Sequence, residues 1–149
     1  LLSHNFLRKD SMVLPIGAID FSRSGSTKTQ FKLERILREI NKAYIGFWGS
    51  ELETSQIRKG IATGRWGCGA FRGDSQLKFI IQWLAASQAG RNMSFYRFDD
   101  VELKDAERIV KSFKGSNVKD LFGRLIAYNS LLFKEGDSMS LFDFLQNVD

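Results

Sequence analysis

The spacing of apolar and polar positions along the chain predicts five helices and three strands. Apolar residues recur every three or four positions in residues 28–46, 74–90, 102–113, 117–132 and 140–146, as in amphipathic helices. Shorter apolar or alternating runs at residues 16–19, 56–63 and 93–98 are typical of strands. Because strands alternate with helices, we expect an α/β fold with a mostly parallel sheet, helices on its faces and an added C-terminal helical layer.

Several boundaries of these elements have a local chemical signal. Asp74 and Asn117 are suited to cap the N-termini of the second and fourth helices, and Gly90 is suited to end the second. The loop before the first helix contains Gly25. Apolar residues expected on the inner face of the first helix are Phe31, Leu33, Ile36, Leu37, Ile40, Tyr44 and Phe47. An average sheet has about 5–6 strands, so three strands predict only part of a sheet.

Composition narrows the class of protein. The 149 residues are 43% hydrophobic, with 13 Phe and a single Pro, which favours a packed core over disorder. No apolar run approaches the roughly 18 residues that span a bilayer, and no signal pattern opens the chain, so we expect neither a membrane nor a secreted protein. Cys68 is the only cysteine, which excludes an internal disulfide and a thiolate metal cluster and fits a reducing compartment. The chain begins with Leu1 and is expected to be a piece of something longer.

A glycine-rich turn between the second strand and the second helix is the main candidate for chemistry. Residues 64–74 contain four glycines, of which Gly67, Gly69 and Gly73 are expected to let the backbone come close to a ligand. The N–H groups of residues 67–73 and the positive end of the helix dipole can together bind a diphosphate, with Trp66 and Phe71 as apolar walls. Many strand-to-helix turns are glycine-rich for geometry alone, and this one matches neither G-x-G-x-x-G nor the Walker pattern.

The same residues resemble a known family. The string from Ile61 to Asp74, IATGRWGCGAFRGD, is followed by QLK at 76–78 and IQWLAASQ at 81–88. Together with REINKAY at 38–44 and FYRF at 95–98, it resembles the C-terminal half of the poly(ADP-ribose) glycohydrolases, most closely the plant members. The resemblance runs from about residue 16 to about residue 128. It implies that residues 1–149 are a single partial domain with a macrodomain-like fold.

The resemblance also implies a function and a set of contact residues. The family hydrolyses ribose–ribose O-glycosidic bonds of poly(ADP-ribose) and releases ADP-ribose. By this carry-over the glycine-rich loop holds the diphosphate, Phe71 packs on the ribose region and Phe98 packs beside the adenosine. The expected substrate-binding residues are Arg65, Trp66, Gly67, Cys68, Gly69, Ala70, Phe71, Arg72, Gly73 and Phe98. Arg65 stands where the family has Asn and Arg72 where it has Gly.

No catalytic residue can be assigned in this chain. A glycosidase needs a carboxylic acid near the leaving oxygen, and the family supplies it from consecutive glycines followed by Gln-Glu-Glu. Neither a triple glycine nor an adjacent Glu pair occurs here. The sequence therefore fits either the binding part of a glycohydrolase or a catalytically dead remnant that binds ADP-ribose or only a protein partner.

The expected partners are poly(ADP-ribose), ADP-ribose or proteins that carry the polymer, in the nucleus or cytoplasm and in the DNA damage response. We expect no metal, no cofactor, no membrane and no direct nucleic-acid readout. The net charge of +5 favours anionic partners, but a generic nucleic-acid module would rest on that charge and scattered aromatics alone.

Other polar residues have a plain structural interpretation. Asp99 and Asp100 are expected in a solvated loop or helix cap, Cys68 as a small packed side chain rather than a nucleophile, and Trp83 as a packing residue. His4 is expected to be exposed near the N-terminus. Asp20 is expected either to cap a loop or to contact a ribose. Basic residues of the first helix, Lys28, Lys32, Arg35 and Arg38, are expected on a hydrated face, with a polymer-binding stripe as the alternative.

Overall fold

Helices and strands alternate through most of the chain, as the sequence predicts. The computed structural model describes residues 12–24, 26–49, 59–135 and 139–147. The elements are α1 (Leu33–Trp48), β1 (Ile61–Gly64), α2 (Ser75–Gln88), β2 (Met93–Tyr96), α3 (Ala106–Ser112), α4 (Val118–Glu135) and α5 (Leu141–Gln146). Short 3-10 helices at Thr27–Phe31 and Val101–Leu103 precede α1 and α3. His4, Gly25 and the first three residues of the predicted strand 56–63 lie outside the described residues.

The two strands pair in parallel, which confirms the predicted strand direction. Ile61 lies opposite Met93, and the register continues to Gly64 opposite Tyr96. The Phe95 ring packs on Phe79 of α2, with ring centres 5.0 Å apart. On the opposite face Ala62, Ser94 and Tyr96 are exposed. Within the described part of the chain, α2 therefore covers one face of the sheet.

The predicted strand at residues 16–19 is wrong. This segment is extended, but it joins no ladder among the described residues. Side chains hold it instead: the Trp66 indole donates to the Ile16 carbonyl at 2.8 Å, and the Ile19 N–H donates to Glu39 Oε1 at 3.1 Å. A strand requires a neighbouring strand to take its N–H and C=O groups, and an apolar run alone cannot supply one.

The other elements differ from prediction mainly at their ends. The helix expected over 28–46 divides into a 3-10 helix and α1, because Lys32 between them is extended at ψ 130°. Its inner face is also shifted: Leu33 and Leu37 are exposed, and Glu39 is buried in their place. The third strand ends at Tyr96, two residues early.

The helix caps follow the local signals. Asp74 accepts the Leu77 N–H at 2.8 Å, and Asn117 accepts the Asp120 N–H at 3.1 Å. Gly90 has φ 65°, the left-handed conformation that follows a helix end.

Helix α2 lies at the centre of the molecule. Ten of its fourteen residues are buried, and it packs against α1, α4 and α5. Trp83 contacts Phe79 and Phe113 in this core, which confirms its expected packing role. None of the helices in the described ranges is both long and apolar enough to cross a lipid bilayer. The central position of α2 fixes the turn that precedes it.

Candidate functional site

The loop from Arg65 to Asp74 joins β1 to α2 at the edge of the sheet where both parallel strands end. Ligands of α/β proteins bind at this edge. Internal hydrogen bonds shape the loop: the N–H groups of Cys68, Arg72 and Gly73 donate to the carbonyls of Arg65, Gly69 and Gly67 at 3.1, 2.9 and 2.8 Å. These three amides are therefore unavailable to a ligand, and the expectation that residues 67–73 all line a diphosphate is too broad.

Four amides of the loop remain available. In the described part of the chain, the N–H groups of Gly67, Gly69, Ala70 and Phe71 donate no hydrogen bond. Gly69, Ala70 and Phe71 are also exposed. Successive unpaired N–H groups can form a concave anion site, so the candidate cradle contracts to Gly67 and residues 69–71.

The N-terminus of α2 contributes less than expected to anion binding. Asp74 occupies it by accepting the Leu77 N–H, and the Asp74 N–H donates to Gln30 Oε1 at 2.7 Å. Burial raises the pKa of the Asp74 carboxyl, while its bond to the Leu77 N–H lowers the pKa in opposition. The positive end of the dipole thus already faces a carboxyl group, and the loop amides are the groups that could hold a phosphate.

The loop needs its glycines for different structural reasons. Gly67 has φ 75°, and a Cβ there would lie 2.7 Å from Ala18 Cβ. A Cβ at Gly73 would lie 2.7 Å from the Gly67 carbonyl oxygen. A Cβ at Gly69 would meet nothing within 4 Å. Gly67 and Gly73 are therefore required by packing, and only Gly69 faces open space where a ligand can approach.

A buried ion pair lies directly beneath the loop, and sequence reasoning missed it. Lys78 of α2 and Glu39 of α1 are 1% and 2% exposed, and their charged groups form a salt bridge. Glu39 also accepts Arg38 Nη1 at 2.8 Å and the Ile19 N–H. A signal existed in the sequence, since each charged residue lies on the apolar stripe of its helix.

Trp66 is engaged inside the protein rather than at a ligand wall. The Lys78 ammonium lies 4.3 Å from the centre of the Trp66 ring, and the indole N–H is bonded to Ile16. Phe71 and Phe98, in contrast, are 42% and 74% exposed. Of the three aromatic rings predicted to contact a ligand, those of Phe71 and Phe98 are accessible. One face of the Trp66 ring is covered by Lys78.

Two non-glycine residues of the site have left-handed backbone conformations. Arg72 has φ 53° and Phe98 has φ 52°. This conformation costs an L-residue about 1–2 kcal/mol, because Cβ approaches the following carbonyl. Arg72 therefore occupies a position where glycine is the favoured residue.

Replacing Arg72 with glycine is expected to raise the free energy of unfolding by about 1 kcal/mol. Glycine removes the backbone strain of the folded state, and its greater freedom in the unfolded chain cancels part of that gain. Urea unfolding followed by circular dichroism measures the change. The matched control is Arg108→Gly, an exposed arginine within α3, where glycine is expected to lower stability by about 1 kcal/mol. A loss of stability in the Arg72 variant would contradict the strain argument.

Arg65 is held by an acidic residue beyond β2. Its Nε lies 2.7 Å from Asp100 Oδ2. The Asp100 carboxylate is 6% exposed and also accepts the Ser75 hydroxyl at 2.6 Å and the Glu102 N–H at 3.1 Å. Asp100 thus caps the 3-10 helix Val101–Leu103, in line with its expected role as a helix cap. It is also a buried anchor for Arg65.

Two further candidates are structural. Asp20 Oδ1 accepts the Ser22 N–H at 2.8 Å, and hydrogen bonds to Ser22 lower the pKa of this exposed carboxyl, as in a loop cap. Burial raises the pKa of the Cys68 thiol, which opposes formation of the nucleophilic thiolate. The half-buried Cys68 thus fits the expected small packed side chain better than a nucleophile. Within the described ranges, no three His, Cys, Asp or Glu side chains are grouped to hold a metal ion.

Comparison with known proteins identifies relatives of the chain. A family model described as poly(ADP-ribose) glycohydrolase (PARG), macro domain fold, matches residues 3–105. The chain is 29% identical over 180 residues to the "Probable poly(ADP-ribose) glycohydrolase 2" of Arabidopsis thaliana, which covers 94% of this chain and 33% of that protein. It is 39% identical over 108 residues to "Poly(ADP-ribose) glycohydrolase 2" of Caenorhabditis elegans, which covers 68% of this chain and 22% of that protein. The chain thus spans a third or less of the length of these relatives.

Proposed function

Because this chain belongs to the poly(ADP-ribose) glycohydrolase family and has its macrodomain fold, we propose that it supplies the diphosphate and adenosine contacts of a glycohydrolase site. The reaction proposed for the complete site is hydrolysis of the ribose–ribose O-glycosidic bonds of poly(ADP-ribose) to ADP-ribose. In this proposal residues 1–149 form part of one catalytic domain.

The availability of four loop amides carries the proposal. The N–H groups of Gly67 and residues 69–71 have no acceptor in the described part of the chain, and open space lies above Gly69. A diphosphate carries negative charge on several oxygens, and backbone N–H groups bind such oxygens without the entropy cost of ordering a long side chain. The Lys78 ammonium beneath the loop is already paired with Glu39, so the loop amides are the groups that would hold the diphosphate.

The adenosine end of the ligand is assigned to Phe98. The ring is largely exposed and stands just beyond β2, near the glycine of β1: a Cβ at Gly64 would lie 3.8 Å from the Phe98 ring. An exposed aromatic ring beside an anion site suits a ligand that joins a base to a diphosphate, since bases stack on aromatic faces.

Binding and hydrolysis are separate claims for this chain. Protonating the leaving oxygen of a glycosidic bond requires a positioned carboxylic acid, and the chain has no Gln-Glu-Glu sequence to supply it. We therefore propose that the 149-residue chain alone binds ADP-ribose without releasing it from the polymer. The absent acid, with Arg65 and Arg72 in the loop, equally favours a second candidate function, an ADP-ribose-binding protein without hydrolytic activity.

Calorimetric titration of the 149-residue chain with ADP-ribose tests the proposal. The chain is expected to bind, and Gly69→Ala is expected to weaken binding at least tenfold without changing the midpoint of urea unfolding. The physical reason is that the new methyl group meets no protein atom but occupies the space in front of the free amides. Phe98→Ala is expected to weaken binding by about 1–3 kcal/mol through loss of one base stack.

The outcomes of the titration are distinct. No heat at millimolar ADP-ribose would refute the binding proposal. If Gly69→Ala left the affinity unchanged, the diphosphate would bind elsewhere. If Phe98→Ala left it unchanged, the adenosine would bind elsewhere. If the chain alone released ADP-ribose from the polymer, the proposal that this chain lacks the catalytic acid would be wrong.

A further inference from the structure

Arg65 stands next to the candidate cradle, at the edge of the sheet where β1 and β2 end. It directly follows β1, and Asp100, which holds it, lies four residues beyond β2. Only Trp66 separates Arg65 from Gly67, the first available amide, so their Cα atoms are at most about 7 Å apart. One extended ligand can therefore contact both the loop and the Arg65 side chain.

The anchor of Arg65 is itself fixed by the fold. The Asp100 carboxylate is almost completely buried, accepts the Ser75 hydroxyl and the Glu102 N–H, and forms a salt bridge with Arg65 Nε. Ser75 begins α2, and Glu102 lies in the 3-10 helix before α3. Because two neighbouring elements hold the carboxylate, the arginine head has less rotational freedom to lose when it binds a ligand.

Most of the guanidinium remains available for binding. An arginine has five N–H donors, and the contact with Asp100 uses the one on Nε. The four N–H donors of the two Nη atoms have no acceptor in the part of the chain that the structure describes, and the side chain is 42% exposed. Two Nη groups in one plane match two oxygens of a phosphate group.

We propose that Arg65 forms a second anion subsite, which binds a phosphate group beyond the diphosphate held by the loop. This inference rests on the proposed function, because it takes the loop as the site of the first diphosphate. The chemistry required of the ligand is an ADP-ribose that carries a further phosphate. That phosphate has two possible sources, the diphosphate of the adjoining unit in an ADP-ribose polymer and a phosphomonoester on the distal ribose.

The chemistry of Arg65 differs from that of the residue that the resemblance implies at this position. An asparagine, which the resemblance places at this position, offers a short neutral amide suited to a ribose hydroxyl. Arg65 offers a planar fork of donors on a guanidinium whose charge is paired with Asp100. The substitution is therefore expected to change which ligand the chain prefers.

Titration of the 149-residue chain with three ligands tests the inference: ADP-ribose, the ADP-ribose dimer and ADP-ribose with a phosphomonoester on its distal ribose. At least one of the two larger ligands is expected to bind about tenfold or more tightly than ADP-ribose, and which of them does so identifies the source of the phosphate. In Arg65→Asn this preference, the ratio of the affinity for the larger ligand to the affinity for ADP-ribose, is expected to fall below threefold.

Two further variants separate the subsite from net charge. Arg108→Asn removes the same charge from an exposed position on α3 and is expected to retain the full preference. Arg65→Lys retains charge but loses the planar fork and is expected to retain less than half of the preference on a logarithmic scale. A preference that survives in Arg65→Asn, or that Arg108→Asn also abolishes, would overturn the inference.

The titration also distinguishes the failure of this inference from that of the proposed function. Equal affinity of the wild-type chain for all three ligands would overturn the Arg65 subsite alone, because ADP-ribose would still bind. No binding of any ligand would contradict the proposed function itself.

Discussion

Replacing Lys78 with methionine is expected to lower the free energy of unfolding by about 3 kcal/mol, the lower end of the range for breaking a buried ion pair. The substitution leaves the Glu39 carboxylate buried at 2% exposure without its ammonium partner. Arg38 Nη1 and the Ile19 N–H still contact Glu39, so the loss is not larger. Urea unfolding monitored by tryptophan fluorescence and circular dichroism measures it.

The double variant Lys78→Met with Glu39→Gln is the control. It removes both charges together, and the glutamine oxygen can still accept the Ile19 N–H, so at least half of the lost stability is expected to return. If the double variant were as unstable as Lys78→Met, the loss would come from packing around the Lys78 stem instead of from an uncompensated charge.

Gly67→Ala is expected to lower the free energy of unfolding by about 2–5 kcal/mol, from two additive causes. A left-handed φ costs about 1–2 kcal/mol for alanine, and overlap in a packed site costs about 1–3 kcal/mol. Gly67 has φ 75°, and its new Cβ would lie 2.7 Å from Ala18 Cβ. Urea unfolding measures this loss as well.

The matched control is Gly69→Ala in the same loop. Its Cβ would meet no atom within 4 Å, and its φ is not left-handed, so the expected change in stability is below about 0.5 kcal/mol. Equal effects of the two substitutions would mean that the loop tolerates a side chain at both positions, contrary to the packing described for Gly67.

The candidate site was only partly predictable from sequence. The glycine-rich turn and Phe98 were identified because their signal is local or comes from the family resemblance. Gln30 was not, although its side chain bonds both the Arg72 carbonyl and the Asp74 N–H and so ties the loop to the 3-10 helix. No residue type or spacing predicts such a contact, because it joins positions more than forty residues apart in the chain.

The sequence by itself determined the elements whose causes lie within one turn of chain. The start of α2 follows from Asp74 and its N–H partner three residues later, and the alternation of strand and helix follows from the spacing of apolar residues. The parallel direction of β1 and β2 follows as well, since a helix joins them.

Only the tertiary structure decided which groups are available and which are engaged. It left residues 16–19 without a strand partner, directed three loop amides to carbonyls of the loop itself, and placed the Lys78 ammonium of α2 against Glu39 of α1. The physical reason is that a hydrogen bond or ion pair depends on the partner that folding brings near. The partners of Lys78 and of residues 16–19 lie far away in sequence, and the loop amides meet nearby carbonyls only through the folded path of the loop.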